Sequence, residues 1–136
     1  MGNFETMQQK VEIFNQIDWY DIPIETMHFD FEKNQINFTF SFPIDQKYEK
    51  LSVSLVNIVQ FQSQVSPDLP LKVMGVYEAN AYLENNEIYL RFVLQIGENC
   101  LPLWEINIKC KEIIFSENYP RIVENFSLAE SEYPRL

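Results

Sequence analysis

Glycine is scarce in this chain, at 3 of 136 residues. Dinucleotide-binding and Walker-type loops need closely spaced glycines to bring backbone N–H groups against phosphate, so neither is available. The Gly-x-Ser-x-Gly elbow of serine hydrolases is also missing. Histidine occurs once, as His28, so any nucleophile–base pair built on histidine would have to use it. The two cysteines, Cys100 and Cys110, have no framework spacing. Cys110 falls in phase with Trp104, Ile106 and Ile108 and reads as a small buried hydrophobe. Cys100 reads as an ordinary thiol, since no cation adjoins it in sequence. A disulfide between the two is not expected in a reducing compartment. No apolar run approaches the roughly 20 residues a membrane helix requires. Residues 1–10 lack the basic stretch and apolar segment of a secretory signal, so the expected compartment is the cytoplasm. Met1-Gly2 with Thr6 fits a loose myristoylation pattern, but without a polybasic stretch one acyl chain would hold a membrane poorly.

Bases are few as well: 10 against 20 acids, for a net charge of −10. Phosphate repels such a chain, which disfavours nucleic acid and anionic lipid and favours a basic protein partner. The excess is uneven, with 7 acids and 2 bases in residues 1–35, 8 and 6 in residues 36–111, and 5 and 2 in residues 112–136. The two ends are acidic and the middle is nearly balanced.

What the chain does contain is alternation. Ile88, Leu90, Phe92, Leu94 and Ile96 form one run; Trp104, Ile106, Ile108 and Cys110 form another; Ile36, Phe38, Phe40 and Phe42 form a third. Side chains of a strand point to opposite faces at every second residue, so each run is a strand with one buried face. One-sided burial favours an antiparallel sheet. Met27, Phe29 and Phe31 predict a strand before the third run, with a tight turn at Lys33-Asn34 and an end at Pro43. Residues 51–61 have apolar residues on both faces, which needs a bulge or cover on both sides. Residues 63–70 read as a loop, residues 72–83 as a strand with a bulge at Gly75, and Asn85-Asn86 as a hairpin turn. Ahead of the strands, Phe4, Met7, Val11 and Phe14 recur at helical spacing, capped by Asn3 or by a Thr6–Gln9 capping box. The expected fold is α+β: a single domain over residues 1–136. A helix at about 4–17 packs on a curved, mainly antiparallel sheet of about six strands at about 24–115, and a tail follows at 116–136. In that tail Ile122, Val123 and Phe126 can dock on the body, and residues 127–130 resemble a helix start.

Three constellations bear on function. His28 and Asp30, with Glu32, alternate on one strand face and form a minimal metal-ligand pair, or else a solvated face. Paired carboxylates for glycoside hydrolysis have no pair that stands out from the many solvated acids. Asp18-Trp19-Tyr20-Asp21 places two large aromatics between two acids just after the helix. Either the aromatics anchor a contact surface toward a basic partner or they plug the junction between helix and sheet.

Trp19-Tyr20-Asp21, the strand Leu55-Val56-Asn57-Ile58 and the alternation from Trp104-Glu105-Ile106 to Cys110 together resemble small β-rich bacterial immunity proteins of polymorphic toxin systems, with Tyr20 where that layout carries histidine. The resemblance implies a non-enzymatic cytoplasmic protein that binds and neutralises a toxin and needs no cofactor. Charge suggests the same partner class, because a nuclease toxin presents a basic cleft. The expected partner-binding residues are Asp18, Trp19, Tyr20, Asp21, Glu25, Asp30 and Glu32. Alternatives are a β-fold with an apolar pocket for a small molecule or lipid, and an assembly or scaffold subunit that adds strands at an edge.

Overall fold

The computed structural model describes residues 6–64, 73–96 and 103–127. The chain runs α1 (Met7–Gln16), β1 (Ile24–Asp30), β2 (Gln35–Ile44), β3 (Lys47–Gln64), β4 (Val73–Glu84), β5 (Glu87–Ile96), β6 (Leu103–Phe115) and α2 (Tyr119–Phe126). All six strands belong to one sheet of order β1-β2-β3-β6-β5-β4, and every neighbouring pair is antiparallel. Two meanders, β1-β2-β3 and β4-β5-β6, therefore meet along β3 and β6. The expected α+β class and one-sided sheet are what the structure has.

The alternating runs bury one face. Phe38, Phe40, Leu51, Val53, Leu55, Ile88, Phe92, Leu94 and Ile106 are all fully enclosed on it. Helix α1 adds Val11 and Phe14 to that core, and α2 adds Ile122. Rings fill the interior: Phe14 meets Phe92 at 5.8 Å between centroids, and Phe38 meets Phe92 at 4.9 Å. The start of α1 is the later of the two expected ones, because Thr6 Oγ1 accepts the Gln9 N–H at 3.1 Å and Gln9 Oε1 accepts the Thr6 N–H at 2.8 Å.

The edge strands β1 and β4 curl toward each other without closing a barrel, and residues 21–23 bridge the gap. Asp21 N–H donates to Val76 O at 2.7 Å, Val76 N–H donates to Ile22 O at 2.9 Å, and Ser41 N–H donates to Pro23 O at 3.1 Å. Asn15 at the end of α1 covers a further part of the β4 edge, donating to Ala81 O and accepting from Ala81 N–H, both at 2.8 Å. A side-chain amide thus stands in for a neighbouring strand and blunts an edge that would otherwise recruit one.

The hairpins follow turn chemistry. Asn85 and Asn86 have φ of 55° and 62°, the left-handed pair that a two-residue turn requires. Asp45 and Gln46 do the same between β2 and β3, with φ of 53° and 65°. The first hairpin is wider than expected: residues 31–34 form its loop, Asn34 takes φ of 55°, and Asp30 Oδ1 accepts the Lys33 N–H at 3.1 Å.

Other boundaries differ from expectation for identifiable reasons. β2 passes through Pro43 to Ile44 because β1 pairs only as far as Phe40, so Pro43 has no strand on that side to receive an N–H. β3 runs to Gln64, past the expected loop start, because β6 continues to pair with it. Its mixed faces come from a register shift between Ile58 and Gln60 next to Asn57, whose φ is 60°. At Gly75, where the pairing of β4 also shifts, an added Cβ would lie 2.9 Å from Ile22 O. The C-terminal segment holds a full helix, α2, with Pro120 in its first turn, and Ser127 caps its end instead of starting a helix. The expected helix start at 127–130 otherwise lies outside the described residues, as does Asn3.

Candidate functional site

The loop Asp18-Trp19-Tyr20-Asp21 divides its two aromatics between core and surface. Trp19 is 3 % exposed and packs on Phe14 and Phe40 at 4.8 Å and on Phe42 at 5.7 Å between ring centroids. Its Nε1–H donates to Phe14 O at 2.9 Å. Trp19 therefore plugs the junction and is removed from the expected contact surface. Tyr20, on the opposite side of the loop, is 59 % exposed. The turn that separates them depends on Asp21, at φ of 65°, a region where Asp is better tolerated than most residues.

Tyr20 leans edge-on against Tyr77 of β4, with ring centroids 5.8 Å apart. The two rings stand in a cleft of about 310 Å³ that is also lined by Asn15, Asp18, Glu78 and Asn80. Asp18 is exposed, and its Oδ1 accepts the Tyr20 N–H at 3.3 Å. Tyr77 and Glu78 were not among the expected residues. They come from a strand more than 50 residues later, brought alongside by the curl of the sheet and by the hydrogen bonds of Asp21 and Ile22 to Val76 and of Asn15 to Ala81. A visible sign in the sequence is Tyr77-Glu78 itself, an aromatic–acid pair close to Gly75.

The acids differ in how they are paired. On the polar face of the late strands, Arg91 Nε lies 3.0 Å from Glu105 and its Nη1 3.3 Å from Glu78, while Lys111 and Lys109 lie 3.4 and 3.9 Å from Glu87. The Arg91 guanidinium, together with an Asn107 amide, holds the Glu105 carboxyl below its usual range, and Glu105 in turn raises Arg91. Contact with the Tyr89 hydroxyl first, and nearby acids after it, raise Lys109. This face also carries a groove of about 320 Å³ lined by Gln60, Gln62, Asn80, Tyr82, Tyr89, Arg91, Asn107 and Lys109. Its charges are matched internally, so it offers carboxamides and stacked tyrosines in preference to a net field.

Among the expected acids, Glu25 belongs to the paired group. Lys50 Nζ and Ser41 Oγ each lie 2.7 Å from its carboxylate, which holds its pKa below the ordinary glutamate value. Asp18, Asp21, Asp30 and Glu32 form no ion pair among the described residues. Asp18 and Asp21 precede β1, Asp30 is its last residue, and Glu32 lies in the hairpin loop after it instead of on the strand face expected for it with His28 and Asp30; the seven residues of β1 span about 20 Å. His28 is exposed on β1. No group of three His, Cys, Asp or Glu residues placed to hold a metal ion occurs among the described residues, so His28 and Asp30 gain no further ligand there.

Cys110 is a buried free thiol in the core, and burial pushes its pKa up to about 12. Cys100 lies outside the described residues. No helix among them is long and apolar enough to cross a membrane. Compared with known protein families and with curated proteins, the chain matches no family model and no curated protein.

Proposed function

We propose that this chain is a non-enzymatic protein-binding module that occludes a basic partner, in the manner of an immunity or inhibitor protein acting on a toxin. One observation carries the reading. The polar face of the late strands has its bases matched to acids, whereas Asp18, Asp21, Asp30 and Glu32 keep unpaired charge at the end of β1 and in the loops on either side of it. Unpaired carboxylates near the exposed rings of Tyr20 and Tyr77 combine a steering field with anchor area. A stretch of about 20 Å fits within one partner's share of a standard interface, about 800 Å². Glu25 contributes little, because Lys50 already neutralises it. Trp19 acts only as the post behind Tyr20.

The experiment is affinity capture from lysate of the cell that carries the gene, with the wild-type chain and the variants Asp18→Lys/Asp21→Lys and Tyr20→Ala/Tyr77→Ala run side by side. The reading expects a basic protein that the wild type retains and both variants lose. Equal retention by all three would place the interface elsewhere.

A further inference from the structure

The β3 strand outruns its neighbour. β2 pairs with it only as far as Val56, opposite Gln35, while β6 accompanies it to Gln64. Asn34 closes the β2–β3 ladder: its carbonyl accepts the N–H groups of Asn57 and Ile58 at 3.0 and 3.3 Å, and its Nδ2 donates to Ile58 O at 3.1 Å. Beyond that point, residues 59–64 have a second edge with no strand on it among the described residues. Their sequence, Val-Gln-Phe-Gln-Ser-Gln, has no charge, proline or glycine. Edges left open to water usually carry charge, proline or a covering side chain, as Asn15 covers β4. This edge has none.

The lane, open among the described residues, continues the line of β2, and its floor is apolar. A cleft of about 160 Å³ lies at the step, lined by Phe29, Phe31, Ile36, Ile58 and Phe61 with Asp30 and Asn34 at its rim. Phe29 meets Phe61 at 5.1 Å and Phe31 at 6.2 Å between ring centroids. Phe31 is 87 % exposed at the tip of the first hairpin, so its ring contact with Phe29 leaves most of it in water. We infer that residues 59–64 of β3 and the Phe29–Phe31–Phe61 cleft form a second interaction surface. It takes an extended segment of a partner protein as an added strand in the lane of β2, with an apolar side chain in the cleft and Lys or Arg beside Asp30 and Glu32.

Each element of the occupant follows from the surface. A row of backbone donors and acceptors is satisfied by another extended backbone, not by a helix or a small molecule. About six residues match the length of the edge. Inward side chains of the added strand would alternate, so one of them meets the cleft. A second copy of this chain is disfavoured, since each brings a charge of −10; a basic segment is attracted by the same charge. The Phe29–Phe31–Phe61 cleft is separate from the Tyr20–Tyr77 cleft, which lies against β4 at the opposite edge of the sheet; the two surfaces share Asp30 and Glu32, so Phe31→Ala tests this one and Tyr20→Ala/Tyr77→Ala the other.

The test is to pan a library of random linear peptides against the full chain. One enriched peptide is then synthesised, and amide hydrogen exchange is followed with and without it. Enriched peptides should alternate apolar with polar residues and carry Lys or Arg. Exchange at residues 59–64 should slow by about tenfold or more. Phe31→Ala, too exposed to disturb folding, should weaken the peptide by about tenfold, and Phe61→Ala should do the same. No enrichment, no slowing at residues 59–64, or full affinity in Phe31→Ala would overturn the inference. So would a concentration-dependent dimer in sedimentation that protects residues 59–64 without peptide, because the occupant would then be a second copy.

Discussion

Trp19 and Tyr20 are adjacent, aromatic and similar in size, yet the structure assigns them opposite roles, and their substitution separates those roles energetically. Trp19→Ala removes contacts to Phe14, Phe40 and Phe42 and leaves a hole at the helix–sheet junction. Truncating a buried Trp costs about 3–5 kcal/mol, a large part of the roughly 5–15 kcal/mol that holds a domain together. Trp19→Phe keeps most of the ring but loses the Nε1–H donor, so Phe14 O retains only the longer bond from Ile17 N–H, at 3.4 Å. That change should cost about 1–2 kcal/mol. Tyr20→Ala loses one edge-on contact at the surface and should cost less than about 1 kcal/mol. Equilibrium urea unfolding followed by far-ultraviolet circular dichroism gives all three. At about 3–6 °C per kcal/mol for a chain of this size, Trp19→Ala should also melt about 9–30 °C lower. A Trp19→Ala cost below about 1.5 kcal/mol, or one no larger than that of Tyr20→Ala, would refute the division of the loop into core and surface.

Gly75→Ala should destabilise by about 1–3 kcal/mol, because its Cβ must push on the carbonyl of Ile22, which already accepts the Val76 N–H; a neutral result in urea unfolding would mean that residues 21–23 do not clasp β4. In a Cys100→Ser background, Cys110 should resist a thiol reagent at about pH 8 until urea unfolds the chain, since burial holds its pKa near 12; rapid labelling of the native protein would contradict its place in the core. Glu25 titrates below its unfolded value, so its pair with Lys50 and Ser41 adds stability that is present above about pH 4 and fades as pH falls through the folded pKa. The urea midpoint of Glu25→Gln should therefore lie below that of the wild type near neutral pH and converge with it in acid, and a gap that persisted in acid would exclude the linkage.

The sheet was legible in the sequence wherever one face is buried and the turn chemistry is strong: the runs Ile36 to Phe42 and Ile88 to Ile96 and the Asn85-Asn86 turn all took their expected forms. Legibility failed where tertiary context decides. Pro43 signals an end only if another strand needs its N–H, and the reach of β1 determines that. Residues 62–64 carry no apolar residue to mark them as strand; β6 alone extends β3 there. In α2, Ile122, Val123 and Phe126 have helical spacing, but Pro120 two residues before them masks a first turn in which proline is tolerated. The candidate site was half legible for a related reason. Unpaired acids are visible as a local excess of charge, but the pairing of Glu25 with Lys50 spans two hairpins, and Tyr77 reaches Tyr20 only through the curl of the sheet.

The central claim is an acidic, tyrosine-anchored surface steering toward a basic partner, and the rate of association between the captured partner and the Asp18→Lys/Asp21→Lys variant tests it most directly. Measured by stopped flow at low and at physiological salt, association should be about tenfold or more slower than wild type at low salt, with the gap narrowing as salt screens the field. A rate equal to wild type at both salt concentrations would contradict the claim.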